Sequence, residues 1–213
     1  MAYSLGFDFG TLSCRAFLLN LEDPQDTSSG VALFEHGVLS DTLPEGTDLL
    51  GSEWALQDPR DYLQAAREAL KACLPVGDPR RLQIVGIGVD FTASSPMPTD
   101  ASGRPLSLDH PGDPHAYVKL WKHHRAEPWV ERIQQAPGAE RYLEQYGGQL
   151  SCEWLIPKAF ELLESSPAMW RATKRFVEAG DWIVQQLTGA WTRNLCAAGF
   201  KGMWSGTYPD AAF

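Results

Sequence analysis

The first fifteen residues, MAYSLGFDFGTLSCR, hold an acid, a glycine and two hydroxyl side chains in an order that suits phosphate chemistry. Asp8 ends an alternating apolar run, and Gly10 permits a tight turn after it. Thr11 and Ser13 then bring hydroxyl groups beside backbone N–H groups. Because Mg²⁺ binds carboxylate oxygens and water, we expect Asp8 to bind magnesium and the turn to bind phosphate. The alternative is an N-terminal hairpin whose turn is merely rich in Gly, Thr and Ser.

A second acid, Asp90, ends another apolar run, LQIVGIGVD, and a small polar cluster begins at Thr92. Ligands of open α/β sheets bind beyond the carboxyl ends of the strands. Asp8 and Asp90 would therefore lie at one edge if their strands are adjacent and parallel. The alternative is that Asp90 only caps the turn that follows it.

Two later segments carry candidate binding residues. LWKHHR, residues 120–125, is either an aromatic lid over a sugar or a solvated loop anchored by Trp121. His123 and His124 are adjacent and point apart, so we do not expect them to bind one metal ion together. Lys201 follows the small residues CAAG, which allow a ligand to approach closely, and its ammonium group suits hydroxyls or developing negative charge. The alternative for Lys201 is a surface lysine after a glycine turn.

The elements that position these residues follow from periodicity and turn signals. Strands are predicted over residues 4–9, 15–20 and 31–39, with a turn over 23–30. Asp58-Pro59 opens a helix with an apolar stripe from Tyr62 to Cys73. Residues 82–90 lack clean alternation, which predicts a strand buried on both faces.

The remaining segments are mostly helical. Helices are predicted over 128–135, 153–163, 167–173 and 182–187, with a short strand over 175–178. A three-strand meander followed by a helix, a strand and more helices predicts an α/β fold with a mixed central sheet flanked by helices.

Composition narrows the function further. The chain has 213 residues and a formal net charge of -9, without a Lys/Arg cluster, which argues against nucleic acid or an anionic membrane as partner. The four cysteines are scattered and indicate neither a zinc site nor a disulfide framework. Nothing resembles a signal peptide or a membrane-spanning run, so we expect a cytoplasmic protein.

Six segments, in the same order, resemble motifs of the FGGY family of carbohydrate kinases, and specifically of its L-ribulokinase branch. They are GFDFGTLSCR, GIGVDFTASSP, LWKHHRA, YGGQLSCEWLIPK, AGDWIVQQLTG and CAAGFKGMW, within residues 5 to 204. The first and fifth are similar to motifs shared across the family, whereas the second and sixth narrow the match to the branch. One departure is His123, which stands where the family usually has Asp.

The resemblance implies an actin-like, ribonuclease-H-like domain that uses ATP and Mg²⁺ to phosphorylate L-ribulose at its 5-hydroxyl, in L-arabinose breakdown. It assigns Asp8 to the metal. The residues it implies for the ATP phosphates are Gly10, Thr11, Ser13 and Arg15. The residues assigned to the sugar are Asp90, Thr92, Ala93, Ser94, Trp121 and Lys201.

The resemblance also limits what this chain does alone. Family members are more than twice as long, and their catalytic base, an Asp, lies beyond the position of Phe213 together with the adenine-binding half. We therefore expect residues 1–213 to form the N-terminal domain of a longer kinase, inactive by itself. The alternatives are another pentulose or pentitol kinase of the family, or a non-catalytic sugar-binding module derived from one. A homodimer is left open as the oligomeric state.

Overall fold

The computed structural model describes residues 1–209, which form two compact units. The first joins Met1–Val38 to Asp58–Thr92, and the second joins Leu39–Gln57 to the residues from Ala93 onward. The strands in chain order are β1 (Tyr3–Phe9), β2 (Ser13–Asn20), β3 (Thr27–Leu33), β4 (Leu56–Gln57), β5 (Ile84–Phe91), β6 (Pro96–Thr99), β7 (Val118–Lys119) and β8 (Arg175–Glu178). The α-helices are α1 (Pro59–Cys73), α2 (Glu127–Gln134), α3 (Ala139–Leu143), α4 (Leu155–Ser165), α5 (Pro167–Ala172), α6 (Ala179–Thr188) and α7 (Leu195–Gly202). In the part of the chain that the structure describes, no helix has both the length and the apolar character to cross a membrane.

The first unit is a mixed sheet with one helix packed on it. The strand order is β3-β2-β1-β5, in which the first three strands form an antiparallel meander and β5 runs parallel to β1. Tyr3, Leu5 and Phe7 are buried alternately along β1, as the sequence predicts. Helix α1 begins where predicted, because the Asp58 side chain accepts a hydrogen bond from the Arg60 amide at 2.9 Å.

The predicted third strand is present, but its predicted bounds of 31–39 are wrong, since β3 spans Thr27–Leu33 and shares only residues 31–33 with them. The small residues before Val31 had suggested a turn, but they form the strand because α1 packs directly on them. A Cβ atom on Gly30 would lie 2.3 Å from the Ala69 carbonyl oxygen and 2.6 Å from the Cys73 amide nitrogen. Glycine therefore marks a close approach of two backbones here.

The prediction that residues 82–90 are buried on both faces is also wrong. Strand β5 pairs with β1 and forms the end of the described sheet, so its apolar side chains are largely exposed. Val85 is 68% and Ile87 54% exposed. In the described residues, β5 is therefore an edge strand with exposed apolar side chains, and its composition alone does not reveal this.

The second unit is mainly helical, with two two-stranded antiparallel sheets, β4-β7 and β6-β8. Strand β6 was not predicted; it contains prolines at positions 96 and 98, which are uncommon inside sheets, and it pairs with the predicted β8. Helices α2, α4, α5 and α6 lie within three residues of their predicted bounds, and α6 ends at Gly189 with a φ of 74°.

Lys201 does not follow a glycine turn, because it lies in the last turn of helix α7. The Asn194 side chain accepts a hydrogen bond from the Ala197 amide at 3.0 Å and so starts this helix. The buried carboxylate of Asp181, on α6, accepts from the Asn194 amide at 2.8 Å. The position of Lys201 is therefore tied to α6.

Candidate functional site

In the first unit, the structure brings the two predicted acids together. Asp8 and Asp90 are Cα partners on the parallel strands β1 and β5, which are about 4.8 Å apart in a sheet of this kind. Side chains of such partners leave the sheet on the same face, here the face opposite to the buried side chains of β1. The predicted shared edge is thus present.

Arg15 pairs with Asp8 across the hairpin. It is the Cα partner of Asp8 on β2, and its guanidinium donates to Asp8 Oδ2 at 3.2 Å. Both side chains are about half exposed, so the ion pair contributes less than about 1 kcal/mol to stability. A pair this weak leaves both groups available to a ligand.

The hairpin turn between β1 and β2 does not need its glycine for folding. The Gly10 amide donates to the Ser13 carbonyl oxygen at 2.9 Å, with Thr11 and Leu12 at the tip of the turn. A Cβ atom on Gly10 would lie 3.6 Å from the Ser13 carbonyl oxygen, an ordinary contact, and its φ lies outside the left-handed region. The missing side chain therefore leaves open space in front of the turn, as a phosphate would require.

The sheet surface around the acids is an open depression of about 350 Å³. Gly6 and Gly88 are Cα partners without side chains and leave its floor low, while Arg15 and Phe17 line one side. The depression thus exposes carboxylates, a guanidinium and backbone on one surface.

The donors at this edge fit Mg²⁺ in kind, since carboxylate oxygens are its preferred protein ligands. Among residues 1–209, no group of three or more His, Cys, Asp and Glu residues could hold a metal ion. Two carboxylates therefore offer a partial shell that water and phosphate oxygens would complete, which is how Mg²⁺ is commonly held beside nucleotides.

The structure does not bear out Asp90 as the cap of a following turn, because its Oδ1 accepts from the next residue's amide, Phe91 N, at 3.0 Å inside the strand. The Thr92 amide donates to the Phe9 carbonyl oxygen at 3.1 Å, which ties the end of β5 to β1. Asp90 therefore remains open toward the exposed sheet face.

In the second unit, the predicted sugar segment at residues 93–95 is a strained and tightly held turn. Ser94 has a φ of 64°, which is uncommon for a residue with a side chain. Its carbonyl oxygen accepts from Lys158 Nζ at 2.7 Å, and the Ser95 amide donates to Glu178 Oε2 at 2.8 Å. Ser94 is only 1% exposed and its hydroxyl is buried without a hydrogen-bond partner among the described residues, whereas Ala93 is exposed.

Lys158 lies on α4 and is itself fully buried. It donates to the Leu120 and Lys119 carbonyl oxygens at 2.8 and 3.3 Å besides that of Ser94, so its three donors all meet backbone oxygens. Burial lowers the pKa of Lys158 and raises the pKa of Glu178, while the attraction between the two groups opposes both shifts.

Trp121, interpreted either as part of a lid over the sugar or as the anchor of a solvated loop, follows β7 and is 39% exposed. The residue before it, Leu120, is buried, and its amide donates to the Ala55 carbonyl oxygen at 3.0 Å. Lys201 places its ammonium 5.9 Å from the centre of the Trp154 ring, which in turn packs on Tyr146. Both interpretations of Trp121, as a lid or as a loop anchor, agree with its partial exposure.

The adjacent histidines face different partners, in line with their predicted divergence. His123 is buried and donates from Nε2 to Glu161 Oε2 at 2.9 Å, while its Nδ1 accepts from the Ala55 amide at 3.4 Å. His124 is partly exposed and lies 3.3 Å from Glu153 Oε1. At position 123, where the resemblance leads one to expect Asp, the neutral imidazole of His123 thus donates a hydrogen bond to the buried carboxylate of Glu161.

Glu161 is the centre of a buried charge cluster that sequence reasoning did not find. Lys119 Nζ lies 3.3 Å from Glu161 Oε2, and Arg125 Nε lies 3.8 Å from Oε1. Burial would raise the pKa of Glu161, but Lys119 and His123 outweigh it and lower the pKa to about 2. Burial lowers the pKa of His123 to about 4, which keeps the ring neutral.

The layout of the first unit, an antiparallel meander with a parallel fourth strand and one helix packed on it, is that of an actin-like α/β fold. Solved sugar kinases share it: the xylulose kinase from Rhodospirillum rubrum matches with a TM-score of 0.70 at 20% identity, covering 92% of this chain and 36% of that one. The gluconate kinase from Lactobacillus acidophilus matches with a TM-score of 0.68 at 15% identity, covering 94% of this chain and 36% of that one. The predicted fold class is confirmed.

The family follows from the sequence comparison. The model described as the FGGY family of carbohydrate kinases, N-terminal domain, matches residues 3–205, and the chain belongs to this family. The ribulokinase of Shouchella clausii (strain KSM-K16) is 41% identical over 217 aligned residues, which cover 99% of this chain and 39% of the relative. The ribulokinase of Mycolicibacterium smegmatis is 40% identical over the same length, covering 99% and 38%. The chain thus spans about two fifths of the length of these curated relatives.

Lys158, Glu178 and Glu161 are the residues that sequence reasoning left without a role. Lys158 was part of a family-like motif, but a single lysine on a predicted helix gives no sign of which carbonyl groups it meets. A signal was present in the helix pattern, since Lys158 and Glu161 are three residues apart and share the buried face of α4 with Pro157 and Leu162.

Proposed function

We propose that the protein of which this chain is part transfers the γ-phosphoryl group of ATP to the 5-hydroxyl of L-ribulose. The observation that carries the chemistry is the pairing of Asp8 with Asp90 at the exposed edge beside the Gly10 turn. The choice of sugar is supported by the 41% identity to a protein named ribulokinase.

In the first unit, each residue has a distinct proposed task. Asp8 would hold Mg²⁺, directly or through water, with Asp90 beside it, and the metal when bound neutralises phosphate charge. Gly10 lets the backbone approach the phosphates, Thr11 and Ser13 supply hydroxyl and amide donors, and Arg15 supplies a forked cation for phosphate oxygens. Asp90 and Thr92 are proposed to contribute to the sugar side, as the resemblance implies.

In the second unit, exposed Ala93 and the turn at Ser94 are proposed to meet the sugar, together with Trp121 and Lys201. An ammonium group can bind sugar hydroxyls and charge that develops on an oxygen during transfer. We propose no catalytic base among these residues, and we expect the chain to be inactive without the remainder of a protein of the relatives' length. We also propose a cytoplasmic location. A homodimer stays a prediction.

The substrate is tested on the intact gene product. We expect kcat/KM, measured by coupled ADP release, to be at least tenfold higher for L-ribulose than for D-ribulose, D-xylulose or ribitol. A preference for D-xylulose would favour the second candidate, another pentulose kinase, which the xylulose kinase match in fold supports. Sugar binding by calorimetry without ADP release for any of the four would contradict an enzyme and favour a binding module.

A further inference from the structure

The strained turn at Ser94 is held from both sides by buried charged side chains. Lys158 Nζ meets the Ser94 carbonyl oxygen at 2.7 Å, and Glu178 Oε2 meets the Ser95 amide at 2.8 Å. Both side chains are almost fully inaccessible, at 0% and 5% exposure. A backbone in a sparsely populated conformation persists only when its surroundings over-determine it, and these two contacts do so.

Lys158 also holds a second stretch of backbone. Its contacts to the Lys119 and Leu120 carbonyl oxygens, at 3.3 and 2.8 Å, lie at the end of β7 and directly precede Trp121. One ammonium group therefore connects the turn beside Ala93 to the segment that carries Trp121. Burying a lysine is energetically costly unless its ammonium group is hydrogen-bonded. Here all three hydrogen bonds go to backbone carbonyl oxygens, so the Lys158 side chain holds these backbone segments in place.

We propose that Lys158 and Glu178 are positioning residues of the sugar site, which clamp the Ser94–Ser95 turn and the backbone before Trp121 and thereby set affinity for the sugar. The inference rests on the proposed function. The clamp touches neither the Gly10 turn nor Asp8, so its loss should leave the affinity for ATP unchanged.

The test uses the intact protein with Lys158→Met, which keeps the length of the side chain and removes its three donors. We expect the KM for L-ribulose to rise at least tenfold, with the KM for ATP changed less than twofold. Asp61→Leu is the matched control, because it removes an equally buried charged group, of similar size, whose carboxylate faces His36 in the first unit and touches neither the turn nor the backbone before Trp121. Its KM for L-ribulose should change less than twofold at a comparable loss of thermal stability.

Two further variants address folding. Glu178→Gln keeps an oxygen that can accept from the Ser95 amide and should retain affinity for the sugar, whereas Glu178→Ala should lose it. Ser94→Gly in the Lys158→Met background should restore at least part of the affinity, because glycine adopts a φ of this sign without strain. If Lys158→Met does not fold, the Glu178 pair decides the question.

Amide hydrogen exchange separates the clamp from the reaction. Faster exchange at residues 94–95 in Glu178→Ala than in wild type is expected whether or not the protein phosphorylates a sugar. If wild type turns over no sugar, the proposed function fails, and unchanged exchange would show that the clamp fails as well. Unchanged sugar KM in Lys158→Met and Glu178→Ala, in an active enzyme, overturns the proposal.

Discussion

At Gly10, the requirements of the fold and those of a bound phosphate differ. The hairpin would accommodate a methyl group there, since the nearest atom to an added Cβ is an oxygen at 3.6 Å. The sequence suggested that the tight turn requires this glycine. In the structure the turn would accept a side chain, and the lack of one instead keeps the space in front of the turn open. That distinction is measurable.

We expect Gly10→Ala to leave the free energy of unfolding unchanged or to raise it by about 0.4–1 kcal/mol, because the unfolded chain loses freedom. In the intact protein the same change should raise the KM for ATP or lower kcat by about tenfold, since a methyl group stands where phosphate approaches. Gly112→Ala is the control, because an added Cβ there meets nothing within 4 Å and the loop lies outside both candidate segments. Wild-type kinetics in Gly10→Ala would argue against a phosphate at this turn.

The buried imidazole of His123 gives stability a defined dependence on pH. Burial lowers the pKa of His123 to about 4 in the folded chain. Between about pH 6.5 and 4, this imidazole is therefore protonated in the unfolded chain and neutral in the folded chain. Folding stability from this group is therefore complete above pH 6.5 and is lost as pH falls toward 4. Glu161, with a pKa lowered to about 2, extends the loss between pH 4.5 and 2.

We expect wild type to lose more unfolding free energy than His123→Gln between pH 6.5 and 4, by at most about 3 kcal/mol. Glutamine keeps an N–H donor for Glu161 and does not titrate. Urea unfolding at several pH values measures the difference, and His110→Gln, at an exposed position, should behave like wild type. Parallel pH profiles for wild type and His123→Gln would refute the assignment.

At the scale of elements, the packing of α1 on β3 depends on a single missing side chain. An added Cβ on Gly30 would be 2.3 Å from the Ala69 carbonyl oxygen and 2.7 Å from the Ala72 Cβ atom. Two of its three nearest neighbours are backbone atoms, so the helix itself has to shift. This contact fixes the helix to the sheet that carries Asp8.

Gly30→Ala should therefore lower the free energy of unfolding by roughly 3 kcal/mol, as overpacking does in well-packed cores. Gly6→Ala is the matched control in the same sheet, because its Cβ would be 3.9 Å from the nearest atom, and we expect a change below about 1 kcal/mol. Chemical denaturation measures both. Equal unfolding free energies for the two variants would contradict the close approach seen at Gly30.

Elements with a local cause could be predicted from sequence, and those with a tertiary cause could not. The capping of α1 by Asp58 and the end of α6 at Gly189 follow from local chemistry, and both are present. Strand β3 was misplaced because Gly30 is required by the packing of α1, a helix that lies far along the chain. Strand β5 was predicted to be buried because composition does not reveal which neighbours cover a strand. Of the site, the pairing of Asp8 and Asp90 could be foreseen from strand ends, whereas the partners of Lys158 could not.

At the scale of the whole molecule, the chain is a member of the FGGY carbohydrate kinase family that spans about two fifths of its curated relatives. Each described unit carries part of the proposed chemistry, with acids and a phosphate-type turn in the first and a clamped turn with Trp121 and Lys201 in the second. Kinetic, stability and exchange tests therefore all use the intact gene product.

The central claim is that the Asp8 edge holds the metal and phosphates, and Asp8→Asn in the intact protein tests it most directly. Asparagine preserves size and can still accept from Arg15, so the fold should be retained, as thermal unfolding would verify. We expect kcat with Mg²⁺, ATP and L-ribulose to fall at least about a hundredfold, because a neutral amide is a poor magnesium ligand. Glu68→Gln, which removes an exposed ion-paired carboxylate on α1, should keep near wild-type kcat. A kcat for Asp8→Asn within twofold of wild type would contradict the account.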